Sequence, residues 1–399
     1  MLRILQVMIS PTYYSKTNKI KNKIERIIKM TYLGKFDPLK NEKVCVLDKD
    51  GKVINPKLMP KISDQEILEA YKIMNLSRRQ DIYQNTMQRQ GRLLSFLSST
   101  GQEACEVAYI NALNKKTDHF VSGYRNNAAW LAMGQLVRNI MLYWIGNEAG
   151  GKAPEGVNCL PPNIVIGSQY SQATGIAFAD KYRKTGGVVV TTTGDGGSSE
   201  GETYEAMNFA KLHEVPCIFV IENNKWAIST ARSEQTKSIN FAVKGIATGI
   251  PSIIVDGNDY LACIGVFKEV VEYARKGNGP VLVECDTYRL GAHSSSDNPD
   301  VYRPKGEFEE MAKFDPLIRL KQYLIDKKLW SDEQQAQLEA EQDKFIADEF
   351  AWVEQNKNYD LIDIFKYQYD KMDIFLEEQY KEAKEFFEKY PESKEGGHH

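Results

Sequence analysis

Long apolar runs are missing from this sequence. Nowhere in its 399 residues does a hydrophobic stretch approach the roughly 18 positions that a membrane span requires. Paired cysteines are missing too: Cys45, Cys105, Cys159, Cys217, Cys263 and Cys285 show no C-x-x-C spacing. All six read as reduced thiols of a reducing compartment, with Cys217 and Cys285 as small hydrophobes in strand-like runs. Charge of one sign is missing, because a net charge of −3 leaves no global pull toward nucleic acid or a membrane surface. Histidine is scarce, with five in all and two of them the terminal His398 and His399. His119 and His213 sit near predicted segment ends and read as structural. His293, in the polar stretch GAHSSSDNPDVYR, is left as the candidate for acid–base chemistry or anion contact. Finally, no G-x-G-x-x-G follows a strand directly, which counts against a nicotinamide-dependent reductase.

The material present, 42% apolar and 26% charged, describes a globular chain of two or three domains or one large α/β unit. Residues 1–31 carry seven Lys or Arg against the single acidic Glu25. They fit a basic arm, or an extension before a start at Met30, better than an Arg- and Ser-rich presequence. The compartment expected is therefore the cytoplasm, with the mitochondrial matrix as the alternative if residues 1–30 are a presequence. The division expected is an N-terminal arm over 1–60, an α/β domain over 61–328 and a helical region over 329–399. The closing Gly-Gly-His-His reads as a tag remnant or a frayed tail. The runs VVVTTT (188–193), PCIFVI (216–221), PSIIVD (251–256) and PVLVEC (280–285) are short, β-branched and almost wholly apolar. Such runs suit strands of a parallel sheet covered on both faces by helices.

One unit carries chemistry. The first of these strands runs into Gly194-Asp195-Gly196-Gly197; a helix is expected from Glu200 to Leu212, with Tyr204, Met207 and Leu212 available to the sheet. The next strand delivers Glu222-Asn223-Asn224. A right-handed strand–helix–strand crossover makes the two strands parallel, so Asp195 and Asn224 arrive at the same sheet edge, where open α/β sheets bind ligands. A carboxylate and an amide carbonyl are hard oxygen donors of the kind magnesium takes together with phosphate oxygens. The glycines allow backbone to approach a phosphate. Taken singly, each residue is more often a turn former; the spacing within one crossover carries the reading.

Those segments, GDGGSSEGETYEAMNFA (194–210) and IENNKWAIST (221–230), resemble the alpha subunit of the thiamine-diphosphate-dependent decarboxylating component of 2-oxo-acid dehydrogenase complexes. So do QRQGRL (88–93), GYRNN (123–127), PEGVNCLPPNIVIGSQYSQATG (154–175), VDGND (255–259) and YRLGAHSSSDNPDVYR (288–303). Residues 154–175 look closer to the pyruvate dehydrogenases of Gram-positive-type bacteria than to the branched-chain members. The resemblance implies a thiamine-diphosphate-binding α/β fold and two cofactors, thiamine diphosphate and Mg2+. Asp195, Asn224 and the main-chain carbonyl of Trp226 would hold the metal, and Gly194, Gly196 and Gly197 would line the diphosphate. Tyr124 and Arg125 would bind its terminal phosphate, Ile164 and Ile166 would contact the rings, and His293 would reach the diphosphate and assist acyl transfer. Tyr302 and Arg303 would order the His293 loop and guide an incoming lipoyl group.

The implied activity is decarboxylation of pyruvate with acetyl transfer to lipoamide on an acyltransferase core; a branched-chain 2-oxo acid is the alternative substrate. A carboxylate that activates the cofactor ring would lie on a beta subunit of an α2β2 heterotetramer, so the chain alone is expected to be inactive. Ser294 and Ser296 stand where some relatives are phosphorylated. A non-catalytic, cofactor-binding paralogue is the competing class, and it would be favoured by loss of a ligand residue.

Overall fold

The computed structural model describes residues 30–391 and 393. The basic stretch up to residue 29 and the terminal Gly-Gly-His-His lie outside the described residues. Six parallel strands form one sheet: β1 (Lys43–Val44), β2 (His119–Val121), β3 (Val189–Gly194), β4 (Cys217–Asn223), β5 (Ser252–Asp256) and β6 (Val281–Asp286). Their spatial order is β1-β5-β6-β4-β3-β2. The four expected strands are β3 to β6, each displaced by one residue or two at its ends. Among the described residues, no helix is long and apolar enough to cross a membrane.

Strands so apolar alternate between two cores, because successive side chains leave opposite faces. Val190, Ile218, Val220 and Val283 face a large core shared with α1 (Asp64–Arg89), α2 (Glu103–Asn111) and α7 (Tyr260–Tyr273). Val189, Cys217, Phe219 and Ile221 face a second core built with α5 (Ser168–Arg183) and α6 (Gly201–Leu212). Between α2 and α5 in sequence come α3 (Asn127–Met133) and α4 (Val137–Trp144). Beyond the sheet follow α8 (Pro316–Asp326), α9 (Asp332–Asn356) and α10 (Ile374–Lys389). Helix α1 starts at a full capping box: the Ser63 hydroxyl accepts the Glu66 N–H, and the Glu66 carboxylate accepts the Ser63 N–H.

Some local expectations change. Helix α6 turns Thr203, Ala206, Met207 and Ala210 inward, the three-to-four spacing of one face, and Leu212 is 74% exposed because it lies about 140° around the helix from Met207. Part of the stretch expected as an arm carries the edge strand β1, which pairs Lys43 with Ile254 and Val44 with Val255. In the expected helical region, Ile346, Phe350 and Val353 of α9 join the large core. All six cysteines are free, and Cys217 and Cys285 are buried as read.

Arg319 ties the C-terminal helices to this sheet. It is 1% exposed, donates to the main-chain carbonyls of Asp48 (3.0 Å) and Leu47 (2.7 Å), and pairs with Asp256 at 3.0 Å. Removing one partner of a buried ion pair leaves the other uncompensated, so Arg319→Met should lose about 3–5 kcal/mol in urea unfolding. A loss below about 1 kcal/mol, the range of an exposed pair, would contradict this role.

Candidate functional site

Adjacent parallel strands put their carboxyl ends side by side, and here four of them empty into one cavity. Tyr124 and Arg125 follow β2, Asp195 follows β3, Asn224 follows β4, and Arg289 and His293 follow β6; all line that cavity. The β3–β4 register pairs Gly194 with Glu222, which places the loops after them in contact. The Asn224 N–H donates to Asp195 Oδ1 at 2.9 Å, and the Trp226 N–H donates to Asn224 Oδ1 at 3.2 Å. Asp195 and Asn224 are 1% and 6% exposed.

Whether these residues fit a cation can be judged from Asp195. Its second oxygen, Oδ2, is buried without a hydrogen-bond partner. Burial lifts its carboxyl to about 7, against the pull of Lys225 and the Asn224 N–H. A bound divalent ion reverses that balance and satisfies the oxygen. The donor set, with one carboxylate, one amide oxygen and main-chain carbonyl, suits magnesium, which keeps other positions for water and phosphate. Glycines shape the wall beside it. A Cβ at Gly194 would meet no atom within 4 Å and would project into open space, whereas one at Gly197 would collide with the Thr193 side chain and come within 2.7 Å of Ile166.

Two guanidinium groups line the same cavity. Arg125 is 7% exposed and donates to the Ser98 carbonyl at 2.8 Å and to the His293 carbonyl at 2.6 Å. Arg289 is 1% exposed and donates to the Ile228 carbonyl at 2.9 Å and to the Tyr302 hydroxyl at 2.7 Å. Burial and the neighbouring Arg125 pull Arg289 down to about 10, which leaves it a full cation at neutral pH. Arg125 also approaches His293 Nδ1 at 3.2 Å. A guanidinium has no acceptor, so Nδ1 accepts and the imidazole proton sits on Nε2. Burial first, then Arg125 and Arg289, push His293 down to about 4. The pull of Asp297 does not offset this, so at neutral pH His293 is an uncharged imidazole with Nε2–H as its donor.

The remaining expected residues divide. Ile166, Gly194, Gly196, Gly197 and Trp226 line the cavity with the groups above. Ile164 does not; it is 56% exposed outside it. Tyr302 and Arg303 do not line it either. The Tyr302 hydroxyl donates to Asp297 at 2.6 Å, and Asp297 in turn accepts the His293 N–H at 2.7 Å. Arg303 donates to the carbonyls of Arg289 and Gly291, both at 2.6 Å. These contacts hold the His293 loop from behind. His119 lies 3.4 Å from Asp180, and His213 stacks on Phe209, both away from the cavity.

Arg289, Gln102 and Glu222 are among the cavity-lining residues to which the sequence assigns no role. Arg289 sits inside a quoted motif, three residues past the end of β6, and that position is the signal available for it. Glu222 accepts from Tyr109 Oη (3.2 Å), Asn126 Nδ2 (3.1 Å) and Gln102 Nε2 (3.1 Å), and burial lifts it to about 8 against their pull.

The displaced histidine titration has a direct readout. In the cofactor-free protein, the imidazole NMR resonance of His293, assigned by its loss in His293→Asn, should titrate near pH 4. A folded value below the unfolded one contributes stability above about pH 6.5 that is lost as pH falls toward 4. An ordinary midpoint near 6.5 would contradict the electrostatics described here.

Residues 71–362 match the family model described as the dehydrogenase E1 component. A protein of Acholeplasma laidlawii named pyruvate dehydrogenase E1 component subunit alpha is 45% identical over 343 residues, 86% of this chain and 99% of that protein. Proteins of the same name from Mycoplasma genitalium and Staphylococcus aureus are 38% and 43% identical. They cover 86% and 74% of this chain, and 95% and 80% of their own lengths. A model match across most of the described residues, with relatives aligned over 80% to 99% of their lengths, gives one conclusion: the chain belongs to the dehydrogenase E1 component family.

Proposed function

We propose that this chain is the alpha subunit of a cytoplasmic pyruvate dehydrogenase and holds the magnesium-diphosphate end of thiamine diphosphate. The observation that carries the reading is the meeting of Asp195 and Asn224 at one sheet edge, with a buried, partnerless Asp195 oxygen in a cavity that Arg125 and Arg289 also line. The names of the relatives support pyruvate over a branched-chain 2-oxo acid.

When bound, thiamine diphosphate supplies the electron sink for decarboxylation of the 2-oxo acid. This chain's residues do the holding. Asp195, Asn224 and the Trp226 carbonyl would take the metal. Gly194 leaves space for the diphosphate, and Arg125 and Arg289 balance its terminal charge with fixed donors. His293 Nε2–H would donate to the same oxygens; a bound diphosphate would also raise its proton affinity and suit it to pass a proton during acyl transfer. Ile166 presents an apolar side chain toward the rings.

The rim suggests what completes the site. Ile164, Val165, Ile166 and Ile228 are 56%, 69%, 42% and 57% exposed around the mouth, an apolar collar suited to burial by another subunit. We assign the ring-activating carboxylate to a beta subunit seated there in an α2β2 assembly. Transfer of the acetyl group to a lipoyl domain of the acyltransferase core would follow.

Two outcomes are expected. The purified chain alone should not decarboxylate pyruvate, while co-expression with its beta subunit should give activity that prefers pyruvate to 2-oxoisovalerate; full activity of the chain alone would sink the assignment. In calorimetric titration, Asp195→Ala should abolish Mg2+-dependent thiamine diphosphate binding and leave the circular dichroism spectrum unchanged. Retained binding would disprove the metal site.

A further inference from the structure

An asparagine that ligates a metal has a directional problem. Its amide presents an oxygen at one end and an N–H2 donor of nearly the same shape at the other, and only the oxygen binds a cation. In this chain the direction of the Asn224 amide is set at both ends, by the Trp226 N–H at Oδ1 and by an acceptor for Nδ2. Asn224 Nδ2 donates to Gln102 Oε1 at 2.8 Å. Gln102 has the same ambiguity, and its own direction is set by Nε2 donating to Glu222 Oε2 at 3.1 Å. Glu222 is held in turn by Tyr109 and by Asn126, whose Oδ1 accepts the Gly123 N–H and the Thr192 hydroxyl, both at 2.9 Å. Gln102, Glu222 and Asn126 are 0%, 4% and 1% exposed, so water does not compete for these bonds.

We propose that Gln102 and Glu222 are positioning residues that aim the Asn224 carbonyl oxygen at the metal. The inference rests on the reading of Asn224 as a magnesium ligand. The donors run in one order along the relay: the Gly123 N–H fixes Asn126, Asn126 and Tyr109 hold Glu222, Glu222 fixes Gln102, and Gln102 together with the Trp226 N–H fixes Asn224. A proton on Glu222 Oε1, beside the Tyr109 hydroxyl, would leave Oε2 as the acceptor, so the arrangement does not depend on the charge of Glu222. The relay also joins the loops after β2 and β4, so the loop that carries Arg125 and the loop that carries Asn224 share one support.

The test uses the full chain in complex with its beta subunit and follows thiamine diphosphate binding by tryptophan fluorescence across a Mg2+ titration. Partners that orient a metal ligand typically change metal affinity about 10–100-fold when removed, so Gln102→Met should raise the half-saturating Mg2+ concentration by that order. At saturating Mg2+ the affinity for thiamine diphosphate should recover. Gln102→Asn keeps the amide but is too short to span from Glu222 to Asn224; it should shift Mg2+ in the same direction and serves if the methionine variant does not fold. Glu222→Met, which takes away the acceptor of Gln102 Nε2, should raise the half-saturating Mg2+ concentration in the same way. The proposal is overturned if both Gln102 variants keep the parental Mg2+ dependence, or if they lose cofactor affinity equally at every Mg2+ concentration. A parent protein that binds thiamine diphosphate without Mg2+ would instead overturn the assignment of Asn224 as a ligand.

Discussion

The parallel pairing of β3 and β4 is the constraint on which the site depends. Six residue pairs run from Val189–Cys217 to Gly194–Glu222, and the strands then release their chains at the same height. The hydrogen bond from the Asn224 N–H to Asp195 Oδ1 closes the gap between the two loops. A slip of one residue would send every side chain of a strand to the opposite face and exchange its contributions to the two cores. The apolar alternation therefore sets the register, and the register sets the distance between the two oxygen donors. β2 and β6 bring Arg125, Arg289 and His293 to the same edge by the same rule.

The site gathers buried polar groups whose electrostatic demands are unmet within the chain. An unsatisfied buried polar atom costs roughly 1–3 kcal/mol, and Asp195 Oδ2 is one. Two buried guanidiniums share an imidazole, and burial first, then the repulsion among these groups, lowers the proton affinity of Arg289 and His293. A divalent cation and a diphosphate would relieve both, the cation at the carboxylate and the anion at the arginines. Cofactor binding should therefore also stabilise the fold, since it acts on the folded chain alone. The surrounding hydrogen bonds, from the relay behind Asn224 to Asp297 and Tyr302 behind His293, hold this arrangement while neither group is bound.

Much of this was legible in the sequence because it depends on local pattern. Four apolar runs between turn residues give β3 to β6, and Asp195 and Asn224 follow from strand ends plus crossover handedness. β1 and β2 were not legible: two and three residues are too few to show any period, and they exist through pairing with strands distant in sequence. Leu212 was misplaced because an apolar residue at a helix end satisfies several faces on paper. Gln102 stood in no pattern, and Glu222 stood in a quoted segment without a role of its own. Their importance lies in contacts across 120 positions of sequence, which only the fold reveals. Arg289 falls between: it belongs to a recognisable motif, yet its burial against Ile228 and Tyr302 is a tertiary fact.

The measurement closest to the central claim is an anomalous difference map of the α–β complex crystallised with Mn2+ and thiamine diphosphate. The account predicts a single peak in this cavity, roughly 2.1 Å from an oxygen each of Asp195 and Asn224, with the diphosphate on its far side toward Arg125 and Arg289. A peak elsewhere, or a cofactor bound in this cavity with no metal between it and Asp195, would contradict it.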